Sequence, residues 1–79
     1  MTAEELKTML VTELRGSRCR CGIPKMPGRT LCRKCYYALS EAVRKALYKR
    51  VGRGYEEAYT AAMRDLASLG RVEFPEWLS

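Results

Sequence analysis

Four cysteines stand in two close pairs, Cys19-x-Cys21 and, ten residues further on, Cys32-x-x-Cys35, in a 79-residue chain that has no histidine. Thiolates are soft ligands, and two local pairs are what a tetrahedral ion needs to close an all-sulfur shell. The spacing points to Zn2+, with Cys19, Cys21, Cys32 and Cys35 as its ligands. Four protein ligands leave no coordination position for water, so the ion is expected to hold structure rather than to catalyse. The one-residue gap of the first pair is tighter than the common two, and iron, an iron–sulfur cluster or disulfides are the competing uses of the same sulfurs.

The compartment decides between metal and disulfide. No apolar run approaches the roughly eighteen residues needed to cross a bilayer. The start, Met1 to Leu10, sets Glu4, Glu5 and Lys7 among its apolar residues and does not place a basic segment before an apolar signal core. The expectation is a cytoplasmic protein with no membrane partner, where thiols stay reduced and paired cysteines bind metal.

Charge is concentrated around and after the cysteines. From Arg15 to Arg53 twelve basic residues (Arg15, Arg18, Arg20, Lys25, Arg29, Arg33, Lys34, Arg44, Lys45, Lys49, Arg50 and Arg53) face one acid, Glu41, while both ends of the chain are net acidic. Four thiolates and a divalent ion lower the formal charge from +6 to +4, and the basic excess of the middle survives. Such a cluster attracts phosphate backbones, anionic surfaces or an acidic protein face.

These residues need a scaffold, and 79 residues allow one domain with a modest core, for which a metal staple is an effective stabiliser. One Phe, one Trp and many alanines argue for helices packed through Leu, Val, Met and Tyr. Thr2-Ala3-Glu4-Glu5 reads as a capping box opening a first helix with Leu6, Met9, Leu10 and Leu14 on one face, closed by a left-handed Gly16. Ser17 to Thr30 holds Gly22-Ile23-Pro24, Pro27 and Gly28 and reads as turns with at most a short hairpin. Leu31 to Leu39 is free of breakers and should be a short helix presenting Cys32 and Cys35 from its first turn.

Ser40 then caps or kinks the chain, and Val43, Ala46, Leu47 and Val51 form a stripe of a helix closed by Gly52-Arg53-Gly54. The last helix runs from about Tyr55 to Leu69, with Tyr55, Ala58, Tyr59, Ala62, Met63 and Leu66 inward and Gly70 as terminator. Pro75 argues for an extended tail over 71–79, with Phe74, Trp77 and Leu78 either folded back over the core, the favoured reading in so small a domain, or offered to a partner as a short aromatic peptide. The fold class is mainly α: a single domain over 1–70 of three to four helices, with a treble-clef-like four-cysteine zinc module, 17–40, between helix 1 and helix 2.

The pattern Cys-x-Cys-Gly, Pro-Gly, Cys-x-x-Cys-Tyr and Gly-x-Gly-Tyr-Glu-Glu-Ala-Tyr, spanning Cys19 to Leu69, resembles small uncharacterised four-cysteine zinc-finger proteins encoded by bacteriophages and prophages. Those proteins tend to carry proline where this chain has Ser40. The resemblance implies a zinc site and a phage setting, hence the cytoplasm of a bacterial host.

An enzyme is disfavoured, because the chain offers no histidine, its cysteines are committed to metal, and Gly52-x-Gly54 is too short for a nucleotide fingerprint. A small-molecule substrate is not expected. The candidate binding surface is Arg18, Arg20, Lys25, Arg29, Arg33 and Lys34 around the metal loop, with Arg44, Lys45, Tyr48, Lys49 and Arg50 on the next helix and Arg53 after it. Nucleic acid is the first choice of partner, and an adaptor or inhibitor that docks on an acidic host protein is the alternative. A purely solvated face that offsets the thiolate charge accounts for the same residues.

Overall fold

The computed structural model describes residues 2–78, which form four helices and no strand. No helix among them is long and apolar enough to cross a membrane. Helix α1 (Ala3–Arg15) begins where the Thr2 hydroxyl accepts the Glu5 amide at 3.2 Å, and it buries Leu10 completely. Its end differs from the expectation: Gly16 is extended, with φ −67°. The Gly16 amide still reaches Thr12 O and Glu13 O, at 3.1 and 3.3 Å, and the carbonyls that follow them are met from outside the helix. The Gly28 amide donates to Leu14 O at 2.8 Å, and Lys25 Nζ donates to Leu14 O at 3.1 Å and Gly16 O at 2.6 Å.

Ser17 to Lys25 make a tight hairpin closed by one bridge between Arg18 and Pro24. Met26-Pro27-Gly28-Arg29 is a turn in which the Arg29 amide reaches Met26 O at 3.1 Å and Gly28 holds φ +88°, the positive value a type II turn requires there.

Helix α2 (Arg33–Ala38) and helix α3 (Glu41–Ala46) are separated by Leu39 and Ser40, whose hydroxyl accepts the Val43 amide at 3.4 Å. The apolar stripe predicts that α3 continues to Val51, but it stops at Ala46. The Leu47 amide is shared between Val43 O and Arg44 O, at 3.2 and 3.3 Å, and the amides of Tyr48 and Lys49 reach carbonyls three residues back, at 3.2 and 3.1 Å, which tightens the chain out of the α-helix. The chain must reverse here to lay α3 against α4, and Gly52 and Gly54 (φ +86° and +107°) complete the turn. Tyr48, Lys49 and Arg50 therefore sit on turns and not on a helix face.

Helix α4 (Tyr55–Ser68) buries the predicted stripe of Tyr55, Ala58, Tyr59, Ala62, Met63 and Leu66. The Glu56 carboxylate reaches back to accept the Gly52 amide at 2.8 and 3.0 Å. The helix ends in a Schellman pair, Gly70 N–H to Ala67 O and Arg71 N–H to Leu66 O, with Gly70 left-handed as predicted.

The tail folds back, but it is not extended throughout. Glu76–Leu78 form one 3-10 turn, which the buried Pro75 can open because its missing N–H is not needed at that position. Phe74, Trp77 and Leu78 pack on the core, and the Trp77 ring stacks on Tyr59 with centroids 5.8 Å apart and planes 22° from parallel.

One core holds the molecule together. Leu10 of α1, Leu39, and Tyr59, Met63 and Leu66 of α4 belong to the same buried cluster as Cys19, Cys32 and Cys35. The metal loop is thus packed into the helical core and does not hang from it. The buried Tyr59 hydroxyl has no hydrogen-bond partner among the described residues, and burial pushes its pKa well above the usual tyrosine value.

Candidate metal centre

The sulfurs of Cys19, Cys21, Cys32 and Cys35 lie within 4.8 Å of one another, with Cys21 Sγ and Cys32 Sγ 3.6 Å apart. Sulfurs at about 2.3 Å from a tetrahedral ion are separated by roughly 3.8 Å, so the cage matches a single ion. It does not match disulfides: all four thiols are free, and the 3.6 Å separation is far beyond a bond of about 2 Å. Four thiols converge on one point, which is a donor set able to hold a metal ion.

Two pieces of local structure aim them. In the hairpin, the Cys19 amide donates to Ile23 O and the Gly22 amide to Cys19 O, both at 2.9 Å, and Gly22 at φ +94° turns the chain directly after Cys21. In α2, Cys32 is the N-cap, with its side chain free of any capping bond, and Cys35 follows three residues later on the same face. Cys19, Cys32 and Cys35 are buried, and Cys21 is half-buried.

The thiols differ in their readiness to ionise. Burial pushes Cys35 far above the usual thiol range, helped by the sulfurs of Cys21 and Cys32. Burial also raises Cys19, although the backbone at Cys21 and Cys32 opposes it. Burial acts upward on Cys21 too, but the Ile23 backbone and the three neighbouring thiols outweigh it and bring Cys21 down to about 7. At neutral pH an incoming ion must therefore expel at least the protons of Cys19 and Cys35. Protons compete with metal, so affinity should rise with pH, roughly a hundredfold or more per unit around neutrality. A competition titration with a chromophoric chelator across that range checks it, and a flat profile would contradict the protonated cage.

Lys25, expected on the binding surface, borders the same groove as the other cations but is engaged by the backbone of the fold. It is only 8% exposed, and its ammonium ties the end of α1 to the metal loop through Leu14 O and Gly16 O. Burial lowers its pKa, and attraction to Cys19, once that thiol is ionised, and to Glu13 opposes the shift. A cation beside Cys19 also offsets the charge of a metal tetrathiolate. A lysine ten residues after a helix end carries no periodic signal of this role, which only tertiary proximity creates. Lys25→Met keeps the bulk but strands the Gly16 carbonyl. It should destabilise the metal-loaded protein by about 1–3 kcal/mol in denaturant unfolding; a variant as stable as the parent would remove Lys25 from this role.

Of the other basic residues, Arg20 is paired with Glu13 at 2.9 Å and so braces the hairpin against α1. Arg18 and Arg53 are exposed away from the main groove of the molecule, and Lys34 lies on the exposed side of α2 beside Tyr37. The groove itself, about 1300 Å³, runs between the metal loop and the α3 region over a floor that includes Leu31, Leu47 and Tyr55. Arg29, Arg33, Arg44, Lys45, Tyr48, Lys49 and Arg50 line it together. Tyr36, Tyr37 and Tyr48, the tyrosines that the helical spacing leaves open for stacking on bases, stand among these cations: the Tyr36 and Tyr48 hydroxyls bond at 2.9 Å, and the Arg44 guanidinium lies 6.0 and 5.5 Å from the Tyr36 and Tyr37 ring centres.

Comparison of the chain with protein-family models, with curated proteins and with solved structures gives no match. The functional reading therefore rests on the geometry of the cage and the groove.

Proposed function

We propose that this chain is a structural-zinc module that binds nucleic acid through the basic groove beside its metal loop. Zinc is the ion that a closed tetrahedral shell of four thiolates takes most readily in a reducing compartment, and its role here is to pin the hairpin to α2. One ligand pair from a turn and one from the start of a helix support a treble-clef-like reading of the module. Elemental analysis of freshly purified, reduced protein should return one zinc per chain; iron or no metal would overturn this part.

The observation that carries the nucleic-acid reading is the groove's charge. Basic side chains from the loop, from α2, from α3 and from the following turn converge on one concavity, and the one acid lining it, Glu41, is 3.1 Å from Lys45. A solvated face has no need to draw cations from four parts of the chain to one side. The phosphate chemistry predicts the test: with about six phosphate contacts, the logarithm of affinity should fall by roughly four to five units for a tenfold rise in salt. Salt-insensitive binding, or none, would count against the reading.

The resemblance to phage-encoded four-cysteine proteins keeps an acidic host protein as the second partner class, because the same cations would face it. Capture from bacterial lysate with and without nuclease separates the two, since a nucleic-acid partner is lost on digestion.

A further inference from the structure

Resting on that reading, we infer that the groove takes a single-stranded polynucleotide, with unpaired bases stacked on Tyr37 and Tyr48 and the phosphates held by the cations around them. Tyr48 is 79% exposed and Tyr37 61%, and both border the groove. Neither ring is loose. The Tyr48 hydroxyl is bonded to that of Tyr36, Tyr36 and Tyr37 meet edge to face at 5.3 Å, and Arg33 and Arg44 approach the Tyr37 ring at 5.8 and 5.5 Å. Rings whose orientation is set before binding, next to cations, form a stacking platform that any base can use.

Duplex recognition asks for a different shape. A helix or ribbon must project into the major groove. Here the basic residues line a concavity, α3 has only six residues, and the whole molecule measures 29 × 23 × 23 Å, too small for a cleft in it to enclose a double helix. The long helix α4 carries Glu56, Glu57 and Asp65, which a phosphate backbone would repel. A flexible single strand can lie in the groove and turn its bases onto the tyrosines.

The test uses the full, zinc-loaded chain and fluorescence anisotropy with a short labelled oligothymidine, an oligouridine of the same length and a duplex of the same length, at equal ionic strength. Both single strands should bind at least about tenfold more tightly than the duplex, and the ratio between them separates DNA from RNA preference. Tyr48→Ala and Tyr37→Ala should each weaken single-strand binding by about tenfold with an unchanged salt slope. Tyr48→Phe keeps the ring but loses the hydroxyl bond that orients it, so it should lose only part of the affinity that Tyr48→Ala loses, whereas Lys49→Gln should reduce the slope. Because both tyrosines are exposed, circular dichroism and zinc content should match the parent in every variant. A duplex bound as tightly as the single strands, with the tyrosine variants unaffected, overturns the stacking inference and leaves the phosphate-binding reading standing. Absence of binding to all three polymers overturns both.

Discussion

Withdrawing the metal with a strong chelator is expected to unfold the whole chain in one cooperative step, and not the cysteine loop alone. Forming a four-thiolate zinc site contributes on the order of 10–16 kcal/mol at neutral pH, as much as the entire stability of most small domains. The fold transmits that loss because Cys19, Cys32 and Cys35 share one buried cluster with Leu10, Tyr59, Met63 and Leu66. The α1 carbonyls Leu14 O and Gly16 O also depend on donors from the loop, Gly28 N–H and the Lys25 ammonium. Without that support α1 and α4, at 13 and 14 residues, are near the length at which an isolated helix in water is marginal. Circular dichroism during chelation should lose most of its helical signal, and Cys35→Ser, at a position fully shielded from solvent, should reproduce the loss without chelator. A spectrum unchanged after verified removal of the ion would refute the structural role of the metal.

Deleting the chain after Gly70 should produce the second largest effect. The deleted segment contributes Val72, Phe74, Trp77 and Leu78 to the margin of the core, and Trp77 covers Tyr59, whose ring is only 1% exposed in the intact fold. Losing a large aromatic side chain from a packed site costs about 3 kcal/mol or more, and each kilocalorie lowers the melting temperature of a domain this size by about 4–8 °C. The truncated protein should therefore melt well over 10 °C below the parent at equal metal occupancy. Trp77→Ala should account for much of the difference. In the intact chain Trp77 emission should be blue-shifted and protected from quenchers. A red-shifted, freely quenched Trp77, or a truncation that leaves the melting point in place, would mean that the tail does not pack on Tyr59 in solution.

Legibility followed the range of the interaction involved. The α4 stripe repeats every three to four residues, so its six buried positions could be read from spacing, as could the Thr2 cap and the left-handed Gly70, where the determining atoms lie within one turn. The end of α3 could not. Val43, Ala46, Leu47 and Val51 keep helical spacing past Ala46, yet packing of α3 on α4 requires the chain to reverse, and that demand overrides the local pattern. Gly16 departs from its pattern for a related reason: a glycine after a helix suggests a left-handed cap, but here the chain leaves α1 extended into a hairpin whose residues 25 and 28 return to donate to Leu14 O and Gly16 O.

For the site, the amino-acid sequence by itself determined the donor set, because two close cysteine pairs are local features and four sulfurs can satisfy one tetrahedral ion only by converging. It determined the basic excess as well, since charge is a property of composition. Which cations act together was decided by the tertiary structure alone. Folding buried Lys25 under α1, turned Arg20 toward Glu13, and brought Arg29, Arg33, Arg44 and Lys49 to one groove with Tyr36, Tyr37 and Tyr48. Those partners are up to some twenty residues apart and carry no shared period; they meet only because a common core fixes the elements that bear them.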